Sequence, residues 1–471
     1  MSRPGRTRSP RRMVIVGGDA AGMSAASQAR RLCPPEELEI VAFERGDHTS
    51  YSACGIPYWV AGDVTDRDEL VARSPQEHRE RGIDVRTRTE VTALDVQGSR
   101  VRTREGGSGR EEWTGYDELV LATGARPIRP PLPGIDAEGV HAVQTLGDGE
   151  RLLADLAALD RRRADERPRA VVVGAGYIGV EMAEALLRHG YRVTLVDRAE
   201  EPMTTLDPDM GAHVREALNR LEVATALGSA VTGLETDAEG RVRAVTTETD
   251  RHEAELVVLG MGVRPLTDLA RDAGLPLGDS GGVLTDLAMR VRGHDNIWAA
   301  GDCVEVLDRI TGAHRHIPLG THANKQGQVV GRNIGGDYAT FPGVVGTAVS
   351  KVCELEIGRT GLLEAQARAA GLRWVTVTVE ATSRAGYYPG AAPMRVKLLA
   401  ERRTGRLLGV QIVGREGAGK RVDIAAVALT AGMTVEQMTM LDLGYAPPFS
   451  PVWDPVLVAA RKAVSAVREA G

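Results

Sequence analysis

Cysteine is scarce in this sequence, and the few that occur are not paired. The 471 residues include four cysteines, Cys33, Cys54, Cys303 and Cys353, and no two of them have CxxC spacing. Their separation argues against a zinc ribbon and against the disulfide framework of a small secreted domain. We therefore predict no metal site, and the cysteine usage fits a reducing cytoplasm.

An excess of basic residues and a long apolar run are also lacking. Lys and Arg total 58 against 64 Asp and Glu, which gives a net charge of −6. This balance argues against nucleic acid as a partner and favours small-molecule chemistry. No apolar run approaches the ~18 residues of a membrane span, so no membrane association is expected. Residues 1–12 hold five arginines and two prolines and are predicted to form a disordered basic tail.

A glycine-rich turn follows the first apolar strand. Residues 13–16 are apolar, and a helical pattern extends from residue 23 to residue 32. Strand, turn and helix in this order begin a dinucleotide-binding unit, in which a pyrophosphate lies on the free N–H groups of the helix. Aspartate replaces the middle glycine of GxGxxG, so the fingerprint is imperfect. The predicted nucleotide-binding residues of this turn are Gly17, Asp19, Ala20, Ala21 and Gly22.

An acidic residue after the second strand supports this prediction. Glu44 lies 22 residues after Gly22, close to the ~20-residue offset at which an acid hydrogen-bonds a ribose hydroxyl. We therefore add Glu44 and the adjacent Arg45 to the predicted nucleotide-binding residues.

A second nucleotide unit has a complete fingerprint. An apolar strand at residues 170–173 precedes a GxGxxG turn and a helix rich in Ala, Glu and Leu. The turn contributes Gly174, Gly176, Tyr177, Ile178 and Gly179 as predicted nucleotide-binding residues. Asp197 ends the next strand and favours NAD, whereas Arg198 beside it could accept the 2′-phosphate of NADP, so both remain possible.

The two units also end alike. An apolar strand before Thr123 and Gly124 leads to Ala-Arg-Pro, and the segment around Gly262 repeats this pattern. The fingerprints are roughly 155 residues apart, which suits two nucleotide-binding domains. The chain after residue 340 has alternating Val/Thr strands, an Ala-rich helix and no nucleotide fingerprint. We therefore predict an α/β protein with two Rossmann-like domains, formed by residues 13–129 with 267–340 and by 130–266, and a C-terminal α+β domain at 341–471.

Cys54 stands in the most unusual stretch of the chain, residues 49–58. Gly55 and Pro57 follow it and predict a turn that enters a helix, because proline is tolerated in a first helical turn. The positive end of a helix lowers the pKa of a nearby thiol and favours the reactive thiolate. On residue type alone, a buried structural cysteine is the commoner interpretation.

The combination resembles the pyridine nucleotide-disulfide oxidoreductase family, in its single-cysteine branch of coenzyme A disulfide reductases, persulfide reductases and NADH oxidases. The resemblance covers residues 13 to about 458. It rests on the motifs at residues 50–58, 299–302, 386–390 and 443–450.

The resemblance implies two cofactors, FAD and NAD(P)H. The first glycine turn and Glu44 would hold the ADP part of FAD, Thr123 and Gly124 would pass close to it, and Asp302 after Gly301 would bond its ribityl chain. The second turn, with Gly262, would hold the nicotinamide nucleotide. Cys54 would stand beside the flavin.

The resemblance also implies a homodimer formed through the C-terminal domain. Tyr445 and either Tyr387 or Tyr388 would reach the partner's active site, where a tyrosine hydroxyl could protonate a leaving thiolate. Packing at the interface is an equally good explanation of these tyrosines.

The implied reaction is the NAD(P)H-dependent reduction of a small-molecule disulfide through Cys54 alone. The positions five residues away are Thr49 and Trp59, so an internal CxxxxC disulfide is excluded. The first alternative is a peroxidase or an NADH oxidase, water- or peroxide-forming, in which Cys54 cycles through sulfenic acid. Ala20 stands where such relatives often have histidine, which weakens the peroxidase alternative. The other alternative is an electron-transfer flavoprotein that serves a partner protein.

The substrate thiol remains open between coenzyme A, another small thiol, a persulfide and a polysulfide. The residues that match substrate positions of the family are Ser24, Gln28, Arg31, Ser50 and Asn324. Arg31 suits a phosphate. The chain departs from the coenzyme A pattern at Ala53, at Glu77 or His78, and at Trp453.

Overall fold

The computed structural model describes residues 9–160 and 167–470. Three five-stranded sheets dominate it, and each has its own order along the chain. Most of the predicted basic tail, residues 1–8, lies outside the described residues. The first strand begins at Arg11, so Arg11 and Arg12 pair with Leu38 and Glu39 instead of belonging to a tail.

The first sheet is parallel throughout and is built from four strands between residues 11 and 121 and a fifth at residues 297–299. Its strands, in spatial order, are Ile297–Ala299, Glu118–Leu121, Arg11–Val16, Leu38–Phe43 and Asp84–Arg86. The helices Ala20–Leu32 and Gly320–Ile334 pack against each other beside it. Its apolar strands are buried in one hydrophobic core, as expected of a parallel sheet covered on both faces.

The second sheet is also parallel and is formed by residues between 140 and 259. Its strands, in spatial order, are Ala224–Leu227, Arg192–Asp197, Arg169–Val173, Leu256–Leu259 and Val140–Ala142. Its helices are Leu146–Asp160, Tyr177–Arg188 and Pro208–Arg220.

Each nucleotide unit carries a small antiparallel sheet, which comes directly before strand Glu118–Leu121 in the first unit and before strand Leu256–Leu259 in the second. The first is Thr89–Asp95, Arg100–Glu105 and Glu111–Gly115, and the second is Val231–Thr236, Val242–Thr247 and Arg251–Glu253. The strands Ala125–Pro127 and Val263–Pro265, which hold the two repeated exit motifs, pair antiparallel with each other. The chain therefore leaves the first unit and returns to it side by side.

The third sheet is antiparallel and lies in the C-terminal part. Its strands, in spatial order, are Ala348–Val352, Leu355–Gly361, Leu407–Gly414, Pro393–Glu401 and Trp374–Thr382. Its helices are Glu364–Ala369, Ala418–Thr430, Val435–Met438 and Pro455–Ala470.

Shorter elements complete the chain. They are the 3-10 turns Ala53–Gly55 and Arg67–Leu70, the helices Ile56–Val60, Pro75–Glu80 and Asp268–Asp272, and the strand pair Val306–Leu307 with His314–Arg315. Within the described residues, no helix is both long enough and apolar enough to span a membrane.

A buried ionic network joins the second sheet's helices to the third sheet. Lys397 is 4% exposed and lies 3.1 Å from Asp207 and 2.7 Å from Asp209. Glu364 is 3.2 Å from the same ammonium group, and Gln411 donates to Asp207 at 2.7 Å. Because a buried charge is tolerated only when it is paired, this network fixes the two units against each other.

Candidate active site

The first glycine turn is too tight for a side chain. Gly17 has a φ of +110°, and a Cβ there would lie 2.1 Å from the carbonyl oxygen of Ala122. A Cβ on Gly22 would lie 2.0 Å from the carbonyl oxygen of Gly17. The turn thus brings Asp19, Ala20 and Ala21 to the N-terminus of helix Ala20–Leu32, where free backbone N–H groups attract a phosphate.

Glu44 is held in place by backbone of the same turn. Gly18 N–H donates to its Oε2 at 2.8 Å, and Gly46 N–H donates to its Oε1 at 2.7 Å. These bonds fix the carboxylate beside the turn with lone pairs left for a ribose hydroxyl. Arg45 is exposed next to it.

Gly301, Asp302 and Gln326 lie across from the turn. A Cβ on Gly301 would lie 3.0 Å from the Cβ of Ala21, and Gly301 N–H donates to Gln326 Oε1 at 2.7 Å. Burial raises the pKa of Asp302. Gln326 Nε2 is buried and makes no hydrogen bond within the part of the chain that the structure describes.

These features fit a bound FAD. The glycine turn is shaped for a pyrophosphate, Glu44 is placed for a ribose, and Gln326 offers a buried amide donor that has no protein partner. Thr123 Oγ1 donates to Leu266 O at 2.6 Å, and this bond holds the exit strand beside the turn. Gly124, with a φ of 69°, follows it.

The second glycine turn repeats the geometry of the first. A Cβ on Gly174 would lie 2.4 Å from Gly260 O, and one on Gly179 would lie 1.8 Å from Gly174 O. Around Gly176 nothing described lies within 4 Å of the Cβ position, so the turn is open there. Tyr177 and Ile178 begin the helix that follows. This open turn fits the pyrophosphate of a nicotinamide nucleotide.

Asp197 ends the strand that follows the second glycine turn and is held by backbone. Its Oδ2 accepts a hydrogen bond from Ala175 N–H at 2.6 Å, and its Oδ1 accepts one from Ala199 N–H at 2.8 Å. Arg198 is exposed beside it, and Gly262 lies in the repeated exit motif with a φ of 86°.

Asp19 connects the first glycine turn to the cysteine segment. Its Oδ1 accepts a hydrogen bond from Tyr51 N–H at 3.1 Å. Burial raises the pKa of Asp19 to about 7, and nearby Glu44 adds to the rise, whereas the bond from Tyr51 opposes it. Asp19, which replaces the middle glycine of the first fingerprint, therefore positions the segment that carries Cys54.

Cys54 lies in a 3-10 turn, Ala53–Gly55, directly before helix Ile56–Val60, which has Pro57 in its first turn. The predicted turn into a helix is confirmed, and the cysteine is exposed instead of being buried and structural. The predicted lowering of its pKa is wrong. Neighbouring protein atoms shield the thiol partly from water, and this desolvation raises its pKa. The negative charges of Glu181, Asp302 and Asp19 raise the pKa further. One short helix does not outweigh three carboxylates.

Glu181 was missed by the sequence analysis. It lies in the first turns of helix Tyr177–Arg188, where it accepts a hydrogen bond from Ser350 Oγ at 3.0 Å and another from Tyr58. Burial raises the pKa of Glu181 to about 7. The sequence does show a carboxylate two residues after Gly179, the last glycine of the second fingerprint. Its charge acts on Cys54, which belongs to the first unit.

The predicted substrate residues fall into two groups. Ser24 Oγ donates to Asn324 Oδ1 at 2.8 Å, and on the same helix Arg31 donates to Gln28 Oε1 at 3.2 Å. Ser50 lies apart from these four, with its Oγ 3.0 Å from His78 Nε2.

Close packing of two helices explains the first group. A Cβ on Gly327 would lie 2.3 Å from Ala21 O, and one on Gly331 would lie 2.4 Å from Ala25 O. The two glycines let helices Ala20–Leu32 and Gly320–Ile334 approach closely, and this brings together Ser24 and Asn324, which are 300 positions apart.

The residues that depart from the coenzyme A pattern have other roles. Glu77 caps helix Pro75–Glu80 through Ser74, and His78 is fully buried beneath Ser50. Trp453 stacks under Arg461, whose guanidinium carbon is 4.3 Å from the ring centroid.

The three candidate tyrosines lie on the C-terminal unit and are open to solvent in this chain. Tyr387 is 79% exposed, Tyr388 36% and Tyr445 47%. The hydrogen bond that Tyr445 donates to Tyr387 raises the pKa of Tyr445. The two hydroxyls therefore form a pair.

Among the residues that the structure describes, no cluster of three or more His, Cys, Asp and Glu side chains could hold a metal ion.

Comparisons with known proteins place this arrangement in a family. The family described as pyridine nucleotide-disulphide oxidoreductase matches residues 11–327, and its dimerisation domain matches residues 347–455. The chain is 39% identical to the NAD(P)H sulfur oxidoreductase (CoA-dependent) of Pyrococcus abyssi over 95% of this chain and 97% of that protein.

Two further relatives show the breadth of the family. The chain is 35% identical to an NADH oxidase of Methanocaldococcus jannaschii, over 96% of this chain and 98% of that protein. It superposes on the NAD-dependent persulfide reductase from A. fulgidus with a TM-score of 0.91 and 37% identity, covering 96% of this chain and 83% of that one. The predicted fold of two Rossmann-like units and a C-terminal dimerisation unit is thus confirmed. The chain belongs to the pyridine nucleotide-disulphide oxidoreductase family and is an oxidoreductase that uses FAD and NAD(P)H.

Proposed function

We propose that this protein uses NAD(P)H to reduce a small-molecule disulfide or persulfide, with Cys54 as its only redox-active cysteine. The observation that supports this most directly is the position of Cys54. It is exposed in a turn that Asp19 ties to the first nucleotide site, and Glu181 of the second nucleotide site faces it.

The reaction balances without a second cysteine. A bound FAD would supply the two-electron chemistry that connects NAD(P)H to the sulfur of Cys54. The Cys54 thiolate attacks one sulfur of the disulfide, the S–S bond breaks, and the first thiol leaves with a proton. The second thiol remains on Cys54 as a mixed disulfide until two electrons and a proton release it. NAD(P)H, a proton and one disulfide thus give NAD(P)⁺ and two thiols.

Coenzyme A is the substrate class that these residues favour. The name of the Pyrococcus abyssi relative includes dependence on CoA. In this chain, Ser24, Gln28 and Arg31 lie on helix Ala20–Leu32, and Ser24 is bonded to Asn324 of the neighbouring helix. A guanidinium there suits a phosphate. In this proposal Ser50 and the segment of Cys54 bind the thiol end.

We further propose that the enzyme is a homodimer. The dimerisation domain of the family matches residues 347–455, and this region exposes an unusual set of large apolar side chains. They are Tyr387, Val427, Met440, Phe449, Val452 and Trp453. Covering such a patch is a common role of a subunit interface. Tyr445 with Tyr387 or Tyr388 would then serve the partner's Cys54 site, where a hydroxyl can protonate the leaving thiolate.

The proposal places the enzyme in the cytoplasm, because all four cysteines are free and an enzyme with a reactive thiol needs a reducing compartment. It assigns residues 13–129 and 267–340 to FAD, 130–266 to NAD(P)H and 341–471 to dimerisation.

An NADH oxidase is the second candidate. A relative with that name is 35% identical, and Asp19, with a pKa near 7, could supply protons where Ala20 cannot. In that cycle Cys54 would alternate between thiolate and sulfenic acid.

Intact mass of the denatured, non-reduced protein separates these functions. A thiol adduct on the wild type that is absent from Cys54→Ser and lost on reduction would support the mixed-disulfide reaction and identify the thiol. A single added oxygen on Cys54, together with oxygen consumption by NADH, would instead support the oxidase and contradict the disulfide reductase.

A further inference from the structure

The two loops that carry the candidate tyrosines are joined to each other. Residues 383–392 connect the strands Trp374–Thr382 and Pro393–Glu401 and carry Tyr387 and Tyr388. Residues 443–450 carry Tyr445. Ala385 N–H donates to Pro447 O at 3.2 Å, and Tyr445 of the second loop donates a hydrogen bond to Tyr387 of the first.

One guanidinium group lies beneath both loops. Arg421, on helix Ala418–Thr430, donates from Nη2 to Ser383 O at 2.9 Å and to Phe449 O at 3.0 Å. Ser383 is the first residue of one loop, and Phe449 is close to the end of the other. A single side chain therefore sets the distance between the bases of the two loops.

The guanidinium group of Arg421 is itself held in place by a second buried residue. Its Nε donates to Asp454 Oδ2 at 2.8 Å, and both side chains are only 9% exposed. Asp454 Oδ1 accepts from Val456 N–H at 2.9 Å, at the start of helix Pro455–Ala470. A buried pair of this kind is costly to break from one side, because the remaining charge loses its partner. The planar fork of arginine also suits several simultaneous bonds, which a lysine ammonium cannot reproduce.

We propose that Arg421 is the positioning residue that holds the two tyrosine loops as one unit and so places Tyr387 and Tyr445 in the active site of the partner subunit. The inference rests on the proposed function, in which those tyrosines act on the substrate beside the partner's Cys54. Arg421 touches neither substrate nor cofactor, and it acts through the backbone of the two loops. Its effect therefore falls on the other subunit's site.

The first test compares two half-reactions of the FAD-loaded enzyme. In Arg421→Met, flavin reduction by NADH without a disulfide should proceed within twofold of the wild-type rate, because the loops belong to a different part of the chain. The kcat/KM for the disulfide should fall by about 100-fold, the loss that a misplacement of about 1 Å can cause. Arg421→Lys should lie between the two, and Arg468→Met, at an exposed arginine of the same unit, should match the wild type.

The second test uses mixed dimers purified with two different affinity tags. A dimer of Cys54→Ser with Arg421→Met has one site in which an intact Cys54 meets intact loops, so it should keep about half of the wild-type turnover. A dimer of wild type with the double variant Cys54→Ser/Arg421→Met pairs the only Cys54 with displaced loops, so its turnover should be close to zero.

The outcomes that overturn the inference are specific. If the dimer of wild type with the double variant kept half of the turnover and the dimer of the two single variants had almost none, Arg421 would act within its own subunit. Equal losses of flavin reduction and of turnover in Arg421→Met would show a general structural role. If Arg421→Met does not dimerise, Arg421→Lys enters the same comparisons with the same expected order. Full turnover by a Cys54→Ser homodimer would refute the proposed function itself, which is a separate result.

Discussion

His78 Nε2 lies 3.0 Å from Ser50 Oγ, and the imidazole is fully buried. Ser50 has a φ of 50°, in the left-handed region, and its N–H donates to Gly18 O at 3.2 Å. The pair connects helix Pro75–Glu80 to the segment that carries Cys54 four residues later. A buried histidine thus supports a predicted substrate residue from beneath.

Replacing this histidine tests the support. In His78→Phe the Ser50 hydroxyl loses its partner, and we expect the KM for the disulfide to rise about three- to tenfold, the equivalent of one hydrogen bond. The kcat should change less than twofold. His78→Gln keeps a polar partner and should remain near the wild type in steady-state kinetics, so equal KM values for the two variants would contradict this role.

The pH dependence of the KM for the disulfide follows from the burial of His78. Burial, with Arg73 and Arg81 nearby, lowers the pKa of His78 to about 4. The imidazole is therefore neutral between pH 5.5 and 8, and the KM for the disulfide should have the same pH profile in the wild type and in His78→Gln. An inflection near pH 6.5 that only the wild type shows would contradict this assignment.

Cys54 should become more acidic when a neighbouring carboxylate is removed. The protein around this exposed thiol shields it partly from water and so raises its pKa, and Glu181 is the first of three carboxylates that add to the rise. In the FAD-free protein, Glu181→Gln should therefore shift the pH profile of Cys54 alkylation by iodoacetamide to lower pH. Peptide mass after digestion would separate Cys54 from the other three cysteines. Asp272→Asn, at an exposed carboxylate that is not among the charges acting on Cys54, serves as the control. An unchanged profile in Glu181→Gln would contradict the prediction.

Asp19 should make the stability of the FAD-free protein depend on pH. Its pKa is raised from 3.8 to about 7 in the folded state, so the folded protein binds this proton more tightly than the unfolded chain. The stabilising contribution is complete below about pH 4 and is lost as the pH rises through 7. Asp19→Asn removes this loss.

Thermal unfolding between pH 4.5 and 8 would measure the effect. The advantage of Asp19→Asn over the wild type should grow as the pH rises and become constant above about pH 8. Asp272→Asn, at an exposed carboxylate, should show no such trend. A constant difference between Asp19→Asn and the wild type across the range would contradict the prediction.

Lys397 should be essential for the stability of the folded chain. Lys397→Met leaves Asp207, which is 3% exposed, without its cation. Breaking a buried pair from one side costs about 3–5 kcal/mol, and urea unfolding should show a loss of this size. The double variant Lys397→Met/Asp207→Asn should recover part of it. A loss below 1 kcal/mol in the single variant would show that water already reaches the network.

Asp197 should select between the two nicotinamide nucleotides. Its carboxylate is fixed by Ala175 and Ala199 at the ribose position, where an acid favours the free 2′-hydroxyl and repels a 2′-phosphate. Asp197→Ala should lower kcat/KM for NADH by about tenfold, the value of one charge-assisted hydrogen bond, and should raise the relative use of NADPH. Steady-state kinetics with both nucleotides would test this, and an unchanged ratio would contradict it.

The parts of the site that are local in sequence could be predicted from it. The two glycine turns, Glu44, Asp197 and the turn at Cys54 each depend on a few adjacent residues and on the strand or helix beside them. Gly17 and Gly174 make the point, because the close backbone approach that requires glycine is already implied by strand, turn and helix in that order.

The parts that join distant segments could not be predicted. Lys397 meets Asp207 and Glu364, and Arg421 meets Ser383 and Phe449, only after three sheets have packed. The pKa of Cys54 was predicted with the wrong sign for the same reason. The charge that raises this pKa most, on Glu181, comes from the second nucleotide unit, so the local helix was not enough to determine the pKa.

The antiparallel pairing of Ala125–Pro127 with Val263–Pro265 places the entrance and the exit of the second nucleotide unit next to each other. The residues between these two strands therefore leave the first unit and return to it at one place, and the first sheet forms without any strand from them. Such a unit can be gained, exchanged or lost as a single insertion, because joining its two ends would leave the order of the strands in the first sheet unchanged. This pairing gives the second nucleotide unit the character of an insertion into the first.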